Sequence, residues 1–378
     1  MRARASPSIC SANTKNPEGE TVRMIESCQA QNVIISSAKF CAVKVLVPFT
    51  KMQGLGNDFV VIGTRAIAAT DAGKDLLGDW QNRQSQFAKA VCDRRFGIGA
   101  DGLIVMIDFR EQPELRSMLK YPDVADSDVG WIYVNGDGSR SDMCGNGLRC
   151  AALWARNHFG IYDTKFNIAT ARGKSEIIYK NANEITINLG EPILDSKLIP
   201  LKSKLKQFVN APLNFSDLKA TCVSMGNPHC VIFGAAPAAK LLGPADSDDP
   251  AARFPTNYAS YAPQIQALDM FPQGVNVEFA LVESDNRVRL YVWERGCGAT
   301  LACATGAAAT VVAGVLEKKL ARKVTVHLLG GALEVEWSEK DNCVRLSGPA
   351  TESFSGNFEL SSICDDVMIR GQREAICS

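Results

Sequence analysis

Short segments of alternating apolar and polar residues, separated by glycine-rich turns, run through most of the chain. Glu184–Leu189 and Val324–Leu328 show the alternation most clearly, and a period of two predicts strands of antiparallel sheets with one face in a core. Val60–Ile62 and Leu103–Val105, each entered from a glycine turn, and Trp131–Val134 and Val288–Trp293 are apolar runs that also read as strands. Three segments break the pattern and predict helices: Gln81–Cys92, with Phe87, Ala88 and Val91 on one face, Leu148–Ala155, and Ala307–Leu316. Between them, residues 109–130 are polar and irregular, and they read as an inserted surface loop.

The order strand, polar glycine turn, cysteine, helix occurs twice. Trp131–Val134 leads through Asn135-Gly136-Asp137-Gly138-Ser139 to Cys144-Gly145-Asn146-Gly147 and the first apolar helix. Val288–Trp293 leads through Glu294-Arg295-Gly296 to Cys303-Ala304-Thr305-Gly306 and the second. This duplication predicts an α+β fold of two similar lobes, each a mostly antiparallel sheet or barrel wrapped around a central helix. A cleft between such lobes is the natural place for a shared site.

Composition narrows the classes of function. The chain has 378 residues, 46% hydrophobic and 22% charged, enough for two domain-sized cores. Its 41 Lys+Arg balance 41 Asp+Glu, and no basic stripe with interleaved aromatics argues for nucleic acid. The uncharged stretch Ala299–Leu316 approaches membrane-spanning length, but its Ala, Thr and Gly content predicts a buried helix, so no membrane association is expected. Thirteen cysteines, an odd number without zinc-like spacing, fit reduced thiols. With only three histidines, no metal cofactor is expected. The glycines at 97–102 lead into a β-branched strand instead of a helix, which removes a dinucleotide-binding reading. Residues 1–46 are rich in Ser and carry no acid before Glu18, as in an organelle transit peptide, although Glu18, Glu20 and Glu26 weigh against that.

The two cysteines carry the chemistry. Free cysteine is usually a small buried hydrophobe, but two thiols in matched frames at the starts of helices point to a working pair. The positive end of a helix favours thiolate, so both are expected to be activated. A base that removes a proton from one face of a carbon, with an acid that returns one to the other face, inverts that centre. Glycines beside the helix-start amides leave room for an α-carboxylate, held by Gly145, Asn146, Thr305 and Gly306. Asn227 and His229 in Met225-Gly226-Asn227-Pro228-His229, and Asn276 in Gly274-Val275-Asn276, stand in similar turns, where turn chemistry is an equal explanation for the asparagines and a structural role the commoner one for His229. Glu294 and Arg295, just before the second frame, suit a substrate ammonium and carboxylate.

Five motifs in order now carry a family resemblance: Lys51-Met52-Gln53-Gly54-Leu55-Gly56-Asn57-Asp58-Phe59, Gly97-Ile98-Gly99-Ala100-Asp101-Gly102, Met143-Cys144-Gly145-Asn146-Gly147, Met225-Gly226-Asn227-Pro228-His229, and Glu294-Arg295-Gly296 through Thr305-Gly306. From about residue 47 to 362 the chain resembles diaminopimelate epimerase. The resemblance implies an isomerase that needs no cofactor and interconverts LL-2,6-diaminopimelate and its meso isomer in lysine biosynthesis. It implies Cys144 and Cys303 as the catalytic acid/base residues. Substrate contacts carried over are Asn57, Asn135, Gly145, Asn146, Asn227, Asn276, Glu294, Arg295, Ala304 and Thr305, with His229 and Glu294 beside the reacting centre. It further implies a homodimer, in bacterial-type cytosol or, should residues 1–46 be a transit peptide, in a plastid. The first lobe is expected over 47–192 with 354–362 returning to it, the second over 193–353, flanked by the extension 1–46 and a tail at 363–378. Ala304 stands where the family usually has glycine, and its methyl is expected to crowd the carboxylate pocket. Asn135-Gly136-Asp137-Gly138-Ser139 departs mildly from the family's Asn-Ala-Asp-Gly-Ser. The alternatives are a proline racemase or hydroxyproline epimerase with the same two-thiol logic, and a thiol redox protein without catalysis.

Overall fold

A computed structural model describes residues 11–15, 21–25, 46–119, 126–234 and 258–360. Most of the N-terminal extension, the tail after 360 and residues 120–125 of the expected loop therefore lie outside the described residues. The chain divides into two units, Met1–Val45 and Leu46–Ser378. Within the first, β1 (Ser11–Lys15) pairs antiparallel with β2 (Thr21–Ile25).

The second unit is built around one 17-stranded sheet that doubles its own plan. Its first half holds β3 (Leu46–Gly54), β4 (Asn57–Gly63), β5 (Gly102–Asp108), β6 (Val129–Asn135), β7 (Lys165–Thr170), β8 (Gly173–Asn181) and β9 (Glu184–Asn188). The second half holds β10 (Ala211–Pro212), β11 (Lys219–Ser224), β12 (Pro228–Phe233), β13 (Asn276–Ser284), β14 (Arg287–Glu294), β15 (Gly298–Thr300), β16 (Lys323–Leu328), β17 (Gly331–Trp337) and β18 (Val344–Gly348). β4 runs parallel to β5, β5 antiparallel to β6 and β6 parallel to β7. In the same sequence, β12 runs parallel to β13, β13 antiparallel to β14 and β14 parallel to β16. β18 pairs with β9, and β19 (Thr351–Glu359) returns to pair with β3, so the two halves share a continuous ladder.

Six α-helices of the second unit lie among the described residues: α1 (Thr64–Ala68), α2 (Asp71–Gly78), α3 (Trp80–Cys92), α4 (Gly145–Phe159), α5 (Tyr258–Gln266) and α6 (Ala304–Leu316). α4 connects β6 to β7 and α6 connects β15 to β16, so each is the crossover of a parallel pair. Their flanks form one core, in which Leu148, Ala151, Ala152, Ala307, Ala308 and Val311 are fully buried. The reverse face of the first half is covered by α1 to α3 through Ile67, Leu76, Trp80, Phe87 and Val91. Strand β5 is consequently buried on both faces, which explains its unbroken apolar run, whereas β16 and β17 alternate buried and exposed positions. The small side chains of α6 let it lie within the sheet; among the described residues no helix is long and apolar enough to cross a membrane.

One expectation is corrected here. Over the described residues 109–119 and 126–130 the segment is not wholly an irregular surface loop: Pro113–Met118 forms a 3-10 helix, Val129 already belongs to β6, and Phe109, Met118 and Leu119 are buried in the core beneath α3. The polar residues masked this because the apolar anchors are spaced too widely to make a period. Helices α1 and α2 were not anticipated either; Thr70 caps α2 by accepting from the Gly73 N–H at 2.8 Å.

Candidate active site

Both cysteines occupy the N-cap. Cys144 precedes α4 and Cys303 precedes α6, each with extended backbone angles. The two helix starts face each other: Asn146 Nδ2 donates to Ala302 O at 3.0 Å, and a Cβ placed on Gly145 would lie 2.6 Å from the Ala304 methyl. The residues that follow the two thiols are therefore in direct contact. The expected crowding by Ala304 falls on Gly145, where glycine is obligatory for lack of space. Gly145→Ala is expected to cost about 1–3 kcal/mol through overpacking, read as a lower Tm, and Ala304→Gly in the same chain is expected to restore most of it.

Around Cys144 the polar groups come from the first half. Its thiol lies 3.8 Å from Asn57 Oδ1, which also accepts from Asn146 Nδ2 at 3.3 Å. Asn57 Nδ2 donates to Asp101 Oδ2 at 2.8 Å, and Asp101 and Asp58 are tied together by Arg94 at 2.8 and 2.7 Å. The turn that carries Asn57 holds Leu55 and Gly56 at φ 57° and 84°, and Leu301 packs so closely on Gly56 that a Cβ there would meet its Cδ1 at 2.6 Å. The Tyr133 hydroxyl faces Cys144 and donates its proton to Asn135 Oδ1 at 2.7 Å.

Around Cys303 the groups come from the second half. Its sulfur receives the Gly306 N–H at 3.4 Å and lies 3.4 Å from Thr305 Oγ1. Asn227 Nδ2 donates to Thr305 Oγ1 at 3.2 Å, which leaves Asn227 Oδ1 to accept from His229 Nε2 at 2.9 Å. His229 Nδ1 meets Glu278 Oε1 at 2.6 Å, with both side chains fully buried. Glu294 faces Cys303 and accepts from Thr300 Oγ1 at 2.6 Å. Asn276 fixes the base of this half by donating to Pro228 O at 3.0 Å and accepting the Arg295 N–H at 2.9 Å. The Arg295 side chain is exposed and donates to Gln273 O at 2.8 Å.

The surroundings of both thiols oppose the pull of the helix starts. Burial pushes the Cys144 thiol up to about 11 and the charge of Glu294 adds to this, against the Gly147 N–H, Arg149 and Tyr133. Burial raises Cys303 well above the usual thiol range, with Glu294 and Glu278 adding to the effect and Thr305 and the Gly306 N–H opposing it. Glu294 is itself raised by burial, against its hydrogen bonds from Thr300 and Cys303, so a weakly acidic carboxyl stands beside the second thiol as a proton acceptor.

The structure also places Arg149 and Glu278 in the site, to which sequence reasoning assigned no role. Each is a charged residue flanked by buried apolar neighbours, and that interruption of the pattern was the available signal. Among the described residues no group of three or more His, Cys, Asp or Glu side chains is arranged to hold a metal ion.

Comparison with known proteins follows this geometry. The profile of one family, described as diaminopimelate epimerase, matches residues 49–194 and 221–352. The diaminopimelate epimerase of Desulforudis audaxviator (strain MP104C) is 38% identical over 315 residues, 82% of this chain and 98% of that protein. The diaminopimelate epimerase, chloroplastic, of Oryza sativa subsp. japonica is also 38% identical over 315 residues, 82% of this chain and 79% of that protein. Among solved structures, a hydroxyproline epimerase from Agrobacterium vitis with bound trans-4-hydroxy-L-proline superimposes with a TM-score of 0.55 at 13% identity, covering 84% of this chain and 94% of that one. A probable proline racemase from Agrobacterium radiobacter K84 gives 0.51 at 14% identity, covering 83% and 93%. At such identity these two structures establish the shared fold alone.

Proposed function

The chain belongs to the diaminopimelate epimerase family, a family of amino-acid isomerases, and from that premise we propose that it inverts one α-carbon of 2,6-diaminopimelate between the LL and meso forms by two-thiol acid/base chemistry. The observation that carries the reading is the pair of N-cap cysteines on two helices whose first turns touch. One cysteine, as thiolate, removes the α-proton, and the other, as thiol, supplies a proton to the opposite face. The N–H groups at the two helix starts, near Gly145 and Asn146 and near Ala304, Thr305 and Gly306, receive the reacting carboxylate, where negative charge grows as the α-carbon is deprotonated. Glu294 accepts the Cys303 proton when that residue acts as base, and Tyr133 and Asn57 support Cys144.

Asn57, Asn135, Asn227, Asn276 and Arg295 bind the remaining substrate groups. The guanidinium of Arg295, exposed at the mouth of the site, takes the distal carboxylate. His229 has both ring nitrogens engaged, by Glu278 and Asn227, and therefore orders Asn227 rather than transferring the proton itself. The protein acts as a homodimer in the cytosol. The plastid is the alternative raised by residues 1–46 and by the chloroplastic rice relative, and import of a fusion of that segment into isolated plastids separates the two.

Assaying the dialysed protein against LL-diaminopimelate, L-proline and trans-4-hydroxy-L-proline tests the substrate. The expected result is meso-diaminopimelate formation without added pyridoxal phosphate or metal. Inversion of the cyclic amino acids alone contradicts the proposal, because the distal polar set would then have no ligand to bind.

A further inference from the structure

Arg149 is an unusual cation. It lies in the first half of α4, one and a half turns after Cys144, and is fully buried. Its guanidinium donates to Asn146 Oδ1 at 2.9 Å, Gly145 O at 3.3 Å and Pro349 O at 3.1 Å. Among the described residues no carboxylate pairs with it; all three acceptors are neutral amides. Gly54 gives it room, since a Cβ there would stand 3.2 Å from its Nη2. A buried guanidinium without an anion is costly to maintain, and two of its three acceptors belong to residues immediately following Cys144. The surroundings of Cys303 are the reverse: Glu294 faces it, and Glu278 Oε1 stands 2.9 Å from where a Cβ on Gly306 would be. Cys303 is buried, whereas Cys144 is partly exposed.

We propose that Arg149 is a positioning residue whose fixed charge polarises the site, so that Cys144 ionises before Cys303. This rests on the two-thiol reading and adds to it an order: in the free enzyme the first proton leaves on the Cys144 side and the Cys303 side keeps its own. The groups facing Cys144 are Arg149 on α4, Tyr133 on β6 and Glu294 on β14. Those facing Cys303 are Glu294 on β14, Glu278 on β13 and Thr305 on α6, and both carboxylates oppose a second negative charge. A thiolate forming at Cys144 gains Arg149, a cation that no carboxylate pairs among the described residues, and one forming at Cys303 meets two acids. Arg149 also holds Asn146 by its Oδ1, which turns Nδ2 toward Asn57 and Ala302.

The test is the thiolate absorbance near 240 nm, titrated against pH without substrate. Subtracting the Cys144→Ala/Cys303→Ala double variant from each single variant removes the other cysteines. Cys144 is expected to ionise at the lower pH. Arg149→Met in the Cys303→Ala background is expected to reduce the Cys144 thiolate at least tenfold at a given pH, while Arg149→Lys retains most of it. Glu294→Gln in the Cys144→Ala background is expected to lower the Cys303 titration. Ionisation of Cys303 first overturns the proposal, as does an unchanged Cys144 titration in folded Arg149→Met. Should Arg149→Met not fold, the order of the two titrations with Arg149 present, together with the Arg149→Lys shift, decides. Because no substrate is involved, failure of this ordering is distinct from failure to invert diaminopimelate.

Discussion

Cys144→Ala and Cys303→Ala are each expected to abolish inversion, with kcat falling by at least ~10²–10⁴-fold, the range associated with loss of a positioned proton-transfer group. Neither substitution should unfold the protein. Each removes only a sulfur from an N-cap, and the helix it precedes remains anchored by fully buried residues such as Leu148 and Ala151 in α4 or Ala307 and Val311 in α6. The discriminating result lies in the partial reaction. With one thiol left, the remaining base still removes and returns a proton on its own face, so slow exchange of the α-hydrogen with solvent is expected to continue without inversion. The two variants are expected to show that exchange with opposite stereoisomers. Proton NMR in deuterated water reads it directly, and full inversion by either variant contradicts the assignment of both residues.

His229→Ala is expected to have the largest effect on stability. Glu278 is fully buried, its Oε2 has no partner and its Oε1 depends on His229 Nδ1 at 2.6 Å. Removing the imidazole strands the acid, and breaking one side of a buried pair costs about 3–5 kcal/mol. The pH dependence has a definite sign. Burial raises Glu278 above the ordinary carboxylate range, and His229 pulls it the other way. In the variant the opposing partner is gone, so the folded-state value rises further above the unfolded one. The stability of such a group is fully present below the unfolded value and is lost as pH rises through the folded value. The Tm deficit is therefore expected to be small near pH 4 and to widen toward neutrality. His229→Ala/Glu278→Leu, which removes the stranded acid as well, is expected to recover much of it. A deficit independent of pH would show that lost packing, and not the carboxylate, is responsible.

The catalytic frame was legible because it rests on local rules. A cysteine followed by small residues and an apolar run reads as a helix start, and Cys144 and Cys303 are both N-caps. The alternation over 324–328 became β16, and the helix expected over Gln81–Cys92 is α3, with Phe87, Ala88 and Val91 buried. What escaped depends on contacts distant in sequence. Arg149 reaches Pro349, 200 residues away, and Glu278 reaches His229 across a parallel strand pair. Nothing near either residue announces its partner. The surroundings of the thiols escaped for the same reason: the helix start is visible locally, but the carboxylates of Glu278 and Glu294 and the burial of the site are assembled by the fold.

The central claim is that a proton leaves one face of the α-carbon to one sulfur and arrives on the other face from the second. Running the reaction from LL-diaminopimelate in deuterated water, and isolating both isomers after a small fraction of turnover, tests it most directly. The account predicts meso product with one solvent deuterium at the inverted carbon and recovered LL substrate with almost none. Product that retains the substrate's own α-hydrogen would mean that a single base carries the proton across, and would contradict the account.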